Sequence, residues 1–204
     1  MKKYLKILLS LTLIVALTLP AFGVMGASNT VSNLNSDEIQ LLKNLGIVAG
    51  GNTTPSTVIT KAELAHLVAL VCRATEVVTE PAKDIFFDVP STHKYYNEIS
   101  ALSSMGILPG ESYFYPKRSI TAAEAAVIVN NVVDGGKFIE KDMAITTVFS
   151  DHLEIPAWAE NAILTLNYVG IYSASGGYAY PTSVLHRDDA ALMLASVMEI
   201  NSRG

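Results

Sequence analysis

Residues 116–133, PKRSITAAEAAVIVNNVV, decide how the rest of the chain is read. Thr121 has the form of a helix N-cap, Glu124 stands three residues on, and an apolar run follows. That is a capping box: the Thr hydroxyl takes the N3 amide and the Glu carboxylate reaches back to the N-cap amide. Asp134-Gly135-Gly136 then stops the helix. Working outward, the same pattern occurs at two other places. Pro55-Ile59-Thr60-Glu63, Pro116-Ile120-Thr121-Glu124 and Pro181-Leu185-His186-Asp189 share one spacing. The last keeps the register and changes the cap residues.

A second element recurs upstream of each. Ile39-Leu42-Gly46-Ile47, Ile99-Leu102-Gly106-Ile107 and Ile163-Leu166-Gly170-Ile171 read as helix ends closed by a C′ glycine. Phe86-Phe87-Asp88 and Phe149-Ser150-Asp151 precede the second and third of these, whereas only Asn33 to Ser36 stands in that place in the first. Successive units lie about 60–65 residues apart, a helix–loop–helix period in which no unit can bury its apolar face alone. The expected fold is all-α: three two-helix units in a pseudo-threefold bundle, repeat one at about 36–79, repeat two at about 84–136 and repeat three at about 147–201. Helices are expected from Thr60 through the stripe Leu64, Leu67, Val68 and Val71, and over about Lys94–Met105, Pro156–Val169 and Arg187–Ile200. Val77–Lys83 and Lys137–Thr146 read as linkers.

The first 27 residues differ in kind. Lys2, Lys3 and Lys6 precede an apolar run from Ile7 to Leu19, then Pro20 and small residues. This is the pattern of a secretory signal peptide, with cleavage expected between Gly23 and Ala27 and an uncleaved anchor as the alternative. The run is short for a membrane span of about 20 residues. No Cys follows it, as a lipoprotein anchor would require. Residues 28–204 then carry eleven basic and nineteen acidic residues, a formal charge of −8. Such a chain, with no basic stripe, argues against nucleic acid and anionic lipid as partners. Cys72 is the single cysteine, so no intrachain disulfide forms.

Together these elements resemble the S-layer homology (SLH) motif. The resemblance is carried best by unit two: Phe86-Phe87-Asp88-Val89, Tyr95-Tyr96-Asn97-Glu98-Ile99, Gly106-Ile107, Phe114-Tyr115-Pro116 and Ile120-Thr121-Ala122-Ala123-Glu124. Unit three adds Phe149-Ser150-Asp151 and Trp158-Ala159. The resemblance covers about Ser36 to Ile200 and implies a three-pronged spindle around a central helix bundle. It also implies noncovalent anchoring to the bacterial cell envelope through a secondary cell-wall polysaccharide, often one bearing a pyruvate ketal. The protein would then be secreted and held at the cell wall or S-layer, with other envelope proteins as further partners and no separate effector domain. The alternative is a structural S-layer component or protein–protein scaffold that keeps the fold and has lost its glycan sites.

For an anionic ketal, a helix N-terminus offers amides and the positive end of a dipole, and an Arg there adds a bidentate pair. The family's Thr-Arg-Ala-Glu places that Arg directly after the N-cap; here the position reads Lys61, Ala122 and Arg187. Lys61 and Arg187 are therefore the candidate anion ligands, against the reading of solvated surface charges. Asp88 and Asp151 are candidates to orient a ligand, or else turn residues at the start of the first helix of a unit. Gly50 and Gly110 would let a sugar approach the backbone, though turn geometry explains them too. Trp158, with Tyr95, Tyr113 and Tyr178, has a face on which sugar could stack, although aromatics at repeated positions are expected to be interlocking core.

Catalysis has little in its favour. His66, His93, His152 and His186 have no metal-ligand spacing, and no nucleophile elbow, phosphate loop or calcium loop is present. No metal or cofactor is expected. The enzyme alternative would be an extracellular glycosidase using Glu98 and Glu124, but capping and exposed-face roles account for both.

Overall fold

The computed structural model describes residues 57–83, 85–133, 148–172 and 176–203, together with Lys43. The signal segment, Gly50, the Lys137–Thr146 linker and all of the first expected helix except Lys43 lie outside the described residues. Helix α1 spans Lys61–Cys72 and is followed by a one-turn helix α2, Ala74–Val77. Helix α3 is Tyr96–Ser104, α4 is Ala122–Val132, α5 is Ala157–Tyr168 and α6 is Arg187–Arg203. A 3-10 turn, His152–Glu154, precedes α5. Among the described residues there is no strand, so the fold is all-α.

The helix boundaries follow from local chemistry. Thr60 and Thr121 each close a capping box with Glu63 and Glu124. Gly106 and Gly170 take φ of +73° and +79°, and the next amides, of Ile107 and Ile171, reach back to the carbonyls of Leu102 and Leu166. That is the Schellman ending a left-handed C′ residue permits. Arg73 ends α1 at a φ of +50°, with its amide on the carbonyls of Ala69 and Leu70.

The three units close into a ring just before α1, α4 and α6. The Ile59 amide donates to the Leu185 carbonyl (3.1 Å), the Leu185 amide to Ile120 (2.9 Å), and the Ile120 amide to Ile59 (3.3 Å). Short antiparallel bridges join Val58 to His186, Thr60 to Ser119 and Thr121 to Val184. Each unit thus gives and receives the same bonds, which is pseudo-threefold symmetry written in backbone. The three side chains at the ring, Ile59, Ile120 and Leu185, are all buried.

Below the ring, α1, α4 and α6 contact one another. The two described outer helices pack chiefly on the long helix of the preceding repeat. Helix α3 of unit two lies on α1 of unit one, and α5 of unit three lies on α4 of unit two. Each of these two arms therefore combines consecutive repeats.

The capping box of α4 makes a pH prediction. Burial pushes the Glu124 carboxyl up, but the Arg118 guanidinium and the Thr121 amide outweigh it and hold it below the usual carboxylate range. A group lowered on folding stabilises above its unfolded pKa, and that contribution disappears as pH falls through the folded value. Arg118 is exposed, which screens its share. Glu124→Gln is expected to cost about 1 kcal/mol at pH 7, and the difference from the wild type should shrink in urea titrations as pH falls through and below the usual carboxylate range. A difference that stays constant with pH would remove the charge from this account. Unit three has the opposite sign. Burial and then Asp188 push the Asp189 carboxyl up, so its ionisation opposes folding as pH rises.

Candidate functional site

Asp88 and Asp151 act alike. Asp88 accepts the amides of Phe114 and Tyr115, both at 2.7 Å, and Asp151 accepts those of Ala179 and Tyr180, both at 2.8 Å. Each carboxylate clips the Phe-x-Asp element to the loop that leads into the next long helix. Directly after the clip, Tyr115 and Tyr180 take φ of +58° and +50°, each just before a proline. A bulky residue in that region is strained, and the clip and the proline hold it there.

The helix N-termini are less open than the sequence suggests. The first-turn amide of Lys61 donates to the Arg118 carbonyl (2.9 Å), that of Ala122 to Ser183 (2.8 Å), and that of Arg187 to Thr57 (3.0 Å). The Ala62 and Ala123 amides bond the carbonyls of Pro116 and Pro181. Glu63 and Glu124 amides go to the cap hydroxyls. The amides expected to meet an anion are thus engaged in joining the units, and recognition falls to side chains.

Lys61 is 4% exposed. Its ammonium lies 3.7 Å from the Glu111 carboxylate and 5.1 Å from the centre of the Phe114 ring, both on the loop of unit two. It ties unit one to unit two, and a ligand carboxylate would have to displace Glu111 to reach it. One unit further on, Ala122 stands in place of Lys61, and the facing loop carries Ala179 and Gly176 where the previous one has Phe114 and Glu111. The space is filled instead by Tyr172, which packs edge-on to Phe149 and donates its hydroxyl to the Ala179 carbonyl (2.7 Å). Lysine, phenylalanine and glutamate change together because they touch.

Arg187 is half-buried at the start of α6. It is near enough to the exposed Lys94 to oppose its charge, although the hydrogen bond to Tyr95 is what chiefly raises the Lys94 pKa. Lys94 also lies 4.6 Å above the Tyr95 ring, and His66 stacks on that ring at 4.5 Å. His66 Nδ1 is 3.1 Å from Glu98. The fold therefore gathers Arg187, Lys94, Tyr95 and His66 from three units at one junction. Sequence reasoning singled out Arg187 but missed Lys94 as its companion. Their proximity exists only because α3 leaves its own repeat.

Of the remaining candidates, Trp158 is exposed at the start of α5, and Gly110 is exposed in the loop of unit two. A side chain at Gly110 would meet nothing within 4 Å, so packing does not require glycine there. Tyr113 and Tyr178 are exposed and Tyr95 is half-buried, so these aromatics are not the interlocking core that repetition suggested. Glu98 and Glu124 are each tied to a partner of their own, His66 and Arg118. Among the described residues no group of three metal-ligating side chains is present, and no helix is long and apolar enough to cross a membrane.

This geometry agrees with comparisons to known proteins. Residues 86–126, from the Phe-x-Asp element through the clipped loop to the first turn of α4, match the S-layer homology domain family. The chain is also 27% identical over 172 residues to an amylopullulanase of Thermoanaerobacterium thermosulfurigenes, a match covering 82% of this chain and 9% of that enzyme. The likeness is thus to a small part of a much longer protein. The clip, the glycine-ended helix and the capping box that the matched segment contains are the features unit three repeats in whole or in part, and over residues 86–126 the chain is similar to the S-layer homology domain.

Proposed function

We propose that the chain is a noncovalent anchor that binds a carboxylated polysaccharide of the bacterial cell wall through the junction around Arg187. An S-layer homology domain is a binding module of the cell surface, and that general role is the starting point. The finer reading rests on Arg187 at the first position of α6, where the family's motif carries its basic residue, with Lys94 over the Tyr95 ring of unit two in the same region. Arg187 supplies a bidentate fork for a ketal carboxylate and Lys94 a second charge. Lys61 contributes at the first junction only by exchanging Glu111 for the ligand. Asp88 and Asp151 spend their carboxylates on loop amides and take no direct part in this junction. The likeness to a small part of a long enzyme favours a module that holds a larger cargo at the surface, and no chemistry is assigned to the domain itself.

Co-sedimentation with sacculi of the host bacterium tests the reading. The protein should pellet with intact sacculi and stay in solution once wall polysaccharide has been stripped by acid. Arg187→Ala should weaken binding about tenfold, the scale of one charge-assisted pair, with helix content unchanged. Binding that survives stripping would instead support the scaffold reading, with a protein as the partner.

A further inference from the structure

Unit two lacks a cation after its N-cap, because Ala122 stands there and is buried. It has something else. Phe87, Tyr113 and Tyr115 form a row of exposed rings, with centres 5.6 Å apart between Phe87 and Tyr113 and 6.0 Å apart between Tyr113 and Tyr115. The Arg118 guanidinium extends the row, 5.8 Å from the Tyr115 ring. Phe87 is 80% exposed. Unit three repeats the centre of this row: Tyr178 and Tyr180 are exposed and stacked at 5.6 Å with planes 27° apart, against 26° for Tyr113 and Tyr115. At the aligned positions unit one has Asn52 and Thr54.

The rows are built rather than incidental. In both units an aspartate clip and a following proline flank a tyrosine in the left-handed region, and that tyrosine's ring stays exposed. Exposed aromatic surface and a strained backbone both work against folding, and the same arrangement stands in two of three units.

We propose that Phe87, Tyr113 and Tyr115, and in unit three Tyr178 and Tyr180, are stacking platforms for uncharged pyranose rings of a polysaccharide. This rests on the reading of the domain as a glycan binder, and it names a different place and a different chemistry. Three features select the ligand. The rings are exposed, and Tyr113, Tyr115, Tyr178 and Tyr180 add hydroxyls, which suits the apolar faces and hydroxyl rims of sugars better than the aliphatic side chains of a protein partner. The one guanidinium in the row is already paired with both oxygens of Glu124, so the platform presents no uncompensated cation for a carboxylate. The ring spacing is comparable to the advance per sugar along an extended glycan, so successive rings meet successive sugars. Charged and uncharged parts of one polymer would then be read by different units. Two weak contacts on one chain raise the retention of both.

The experiment uses wall polysaccharide released from the host's sacculi, half of it with its carboxyl groups reduced to alcohols so that no charge remains. Titration calorimetry should show the wild type binding the reduced polymer. Tyr113→Ser with Tyr178→Ser should weaken that binding about tenfold, whereas the Phe pair should stay within about twofold. These two positions are chosen because neither is among the residues with positive φ, so the fold is retained, and the urea midpoint checks it. Arg187→Ala should leave binding of the reduced polymer unchanged. Equal affinity of the Ser pair and the wild type overturns the proposal. If the wild type binds the native polymer and not the reduced one, the platforms fail and the carboxylate reading stands; if it binds neither, both fail. Tyrosine substitutions that alter sedimentation of the free protein without altering glycan affinity would make the rows a self-association surface, and the proposal would be wrong.

Discussion

Replacing Ile120 by alanine is expected to lower the free energy of unfolding by about 3–4 kcal/mol, close to the top of the range for a large-to-small change in a core. Ile120 is fully buried and sits on the pseudo-threefold axis, where its backbone donates to Ile59 and accepts from Leu185. A cavity there borders all three units, and none can collapse into it without breaking the backbone ring it shares with the other two. The control is Val184→Ala, in the same ring of bridges but with an exposed side chain, which should change stability by no more than about 0.5 kcal/mol. Urea denaturation followed by far-UV circular dichroism gives both numbers, with the slope of the transition checking that it stays two-state. Amide exchange at Ile59 and Leu185 should accelerate along with that at Ile120. A loss below about 1 kcal/mol at Ile120, or acceleration confined to unit two, would mean the units are joined elsewhere.

Much of this architecture could be read from the sequence because its signals are local. Thr121 and Glu124 announce a helix start within four residues, and Gly106 and Gly170 announce helix ends through a backbone conformation that favours glycine. What could not be read is where the helices go next. The pairing of α3 with α1 leaves no mark on either segment, since an apolar stripe says that a face is covered and not by what. The burial of Lys61 depends on Glu111 and Phe114, fifty residues on in the next unit. A lysine at a first helical position reads as solvated until those partners are placed. The spent amides of α1 and α4 were equally hidden, because backbone donors and acceptors carry no residue signature. For the candidate site the consequence is specific. Sequence pointed to the N-termini of the long helices and to Arg187 as a candidate anion ligand. It could not show that the first amides of α1, α4 and α6 are engaged by neighbouring units.

The same separation lets the units differ in side chains while keeping one fold. The ring and the clips use backbone groups and two aspartates, so side chains after the N-cap and before the proline are free to change. At the first position the chain has Lys61, Ala122 and Arg187; at the second it has Thr54, Tyr115 and Tyr180. The unit without a basic residue carries the longest aromatic row, and the unit with no aromatic pair carries a lysine committed to its neighbour.

The second large effect is expected at the clip. Asp88→Ala should cost about 3 kcal/mol, because it removes two charge-assisted bonds and leaves the partly buried Phe114 amide without its acceptor. The Tyr115 amide is exposed and can turn to water, which keeps the loss below that of two fully buried bonds. Asp88→Asn separates geometry from charge. Its single carbonyl oxygen accepts one amide, and its NH2 faces the other donor, so the cost should fall near about 2 kcal/mol rather than close to zero. The predicted order is therefore Asp, Asn, Ala, and Asp151 should give the same order in unit three, where Ala179 and Tyr180 take the two bonds. Hydrogen exchange at Phe114 and Tyr115 provides the local reading, since these two amides should lose protection before the helices do. The clip also holds Tyr115 at its positive φ, so releasing it should let the residue relax toward extended backbone and break the stacked pair with Tyr113. Binding of uncharged polysaccharide should then weaken in Asp88→Ala by at least as much as in the Tyr113 variant, while the Arg187 junction, built on α1, α3 and α6, keeps its affinity for the carboxylated polymer. An Asn variant as stable as the wild type would show that one amide suffices and that the second bond contributes nothing. An Ala variant that keeps the exchange protection of Tyr115 would show that the proline and the ring packing, and not the carboxylate, set the strained turn.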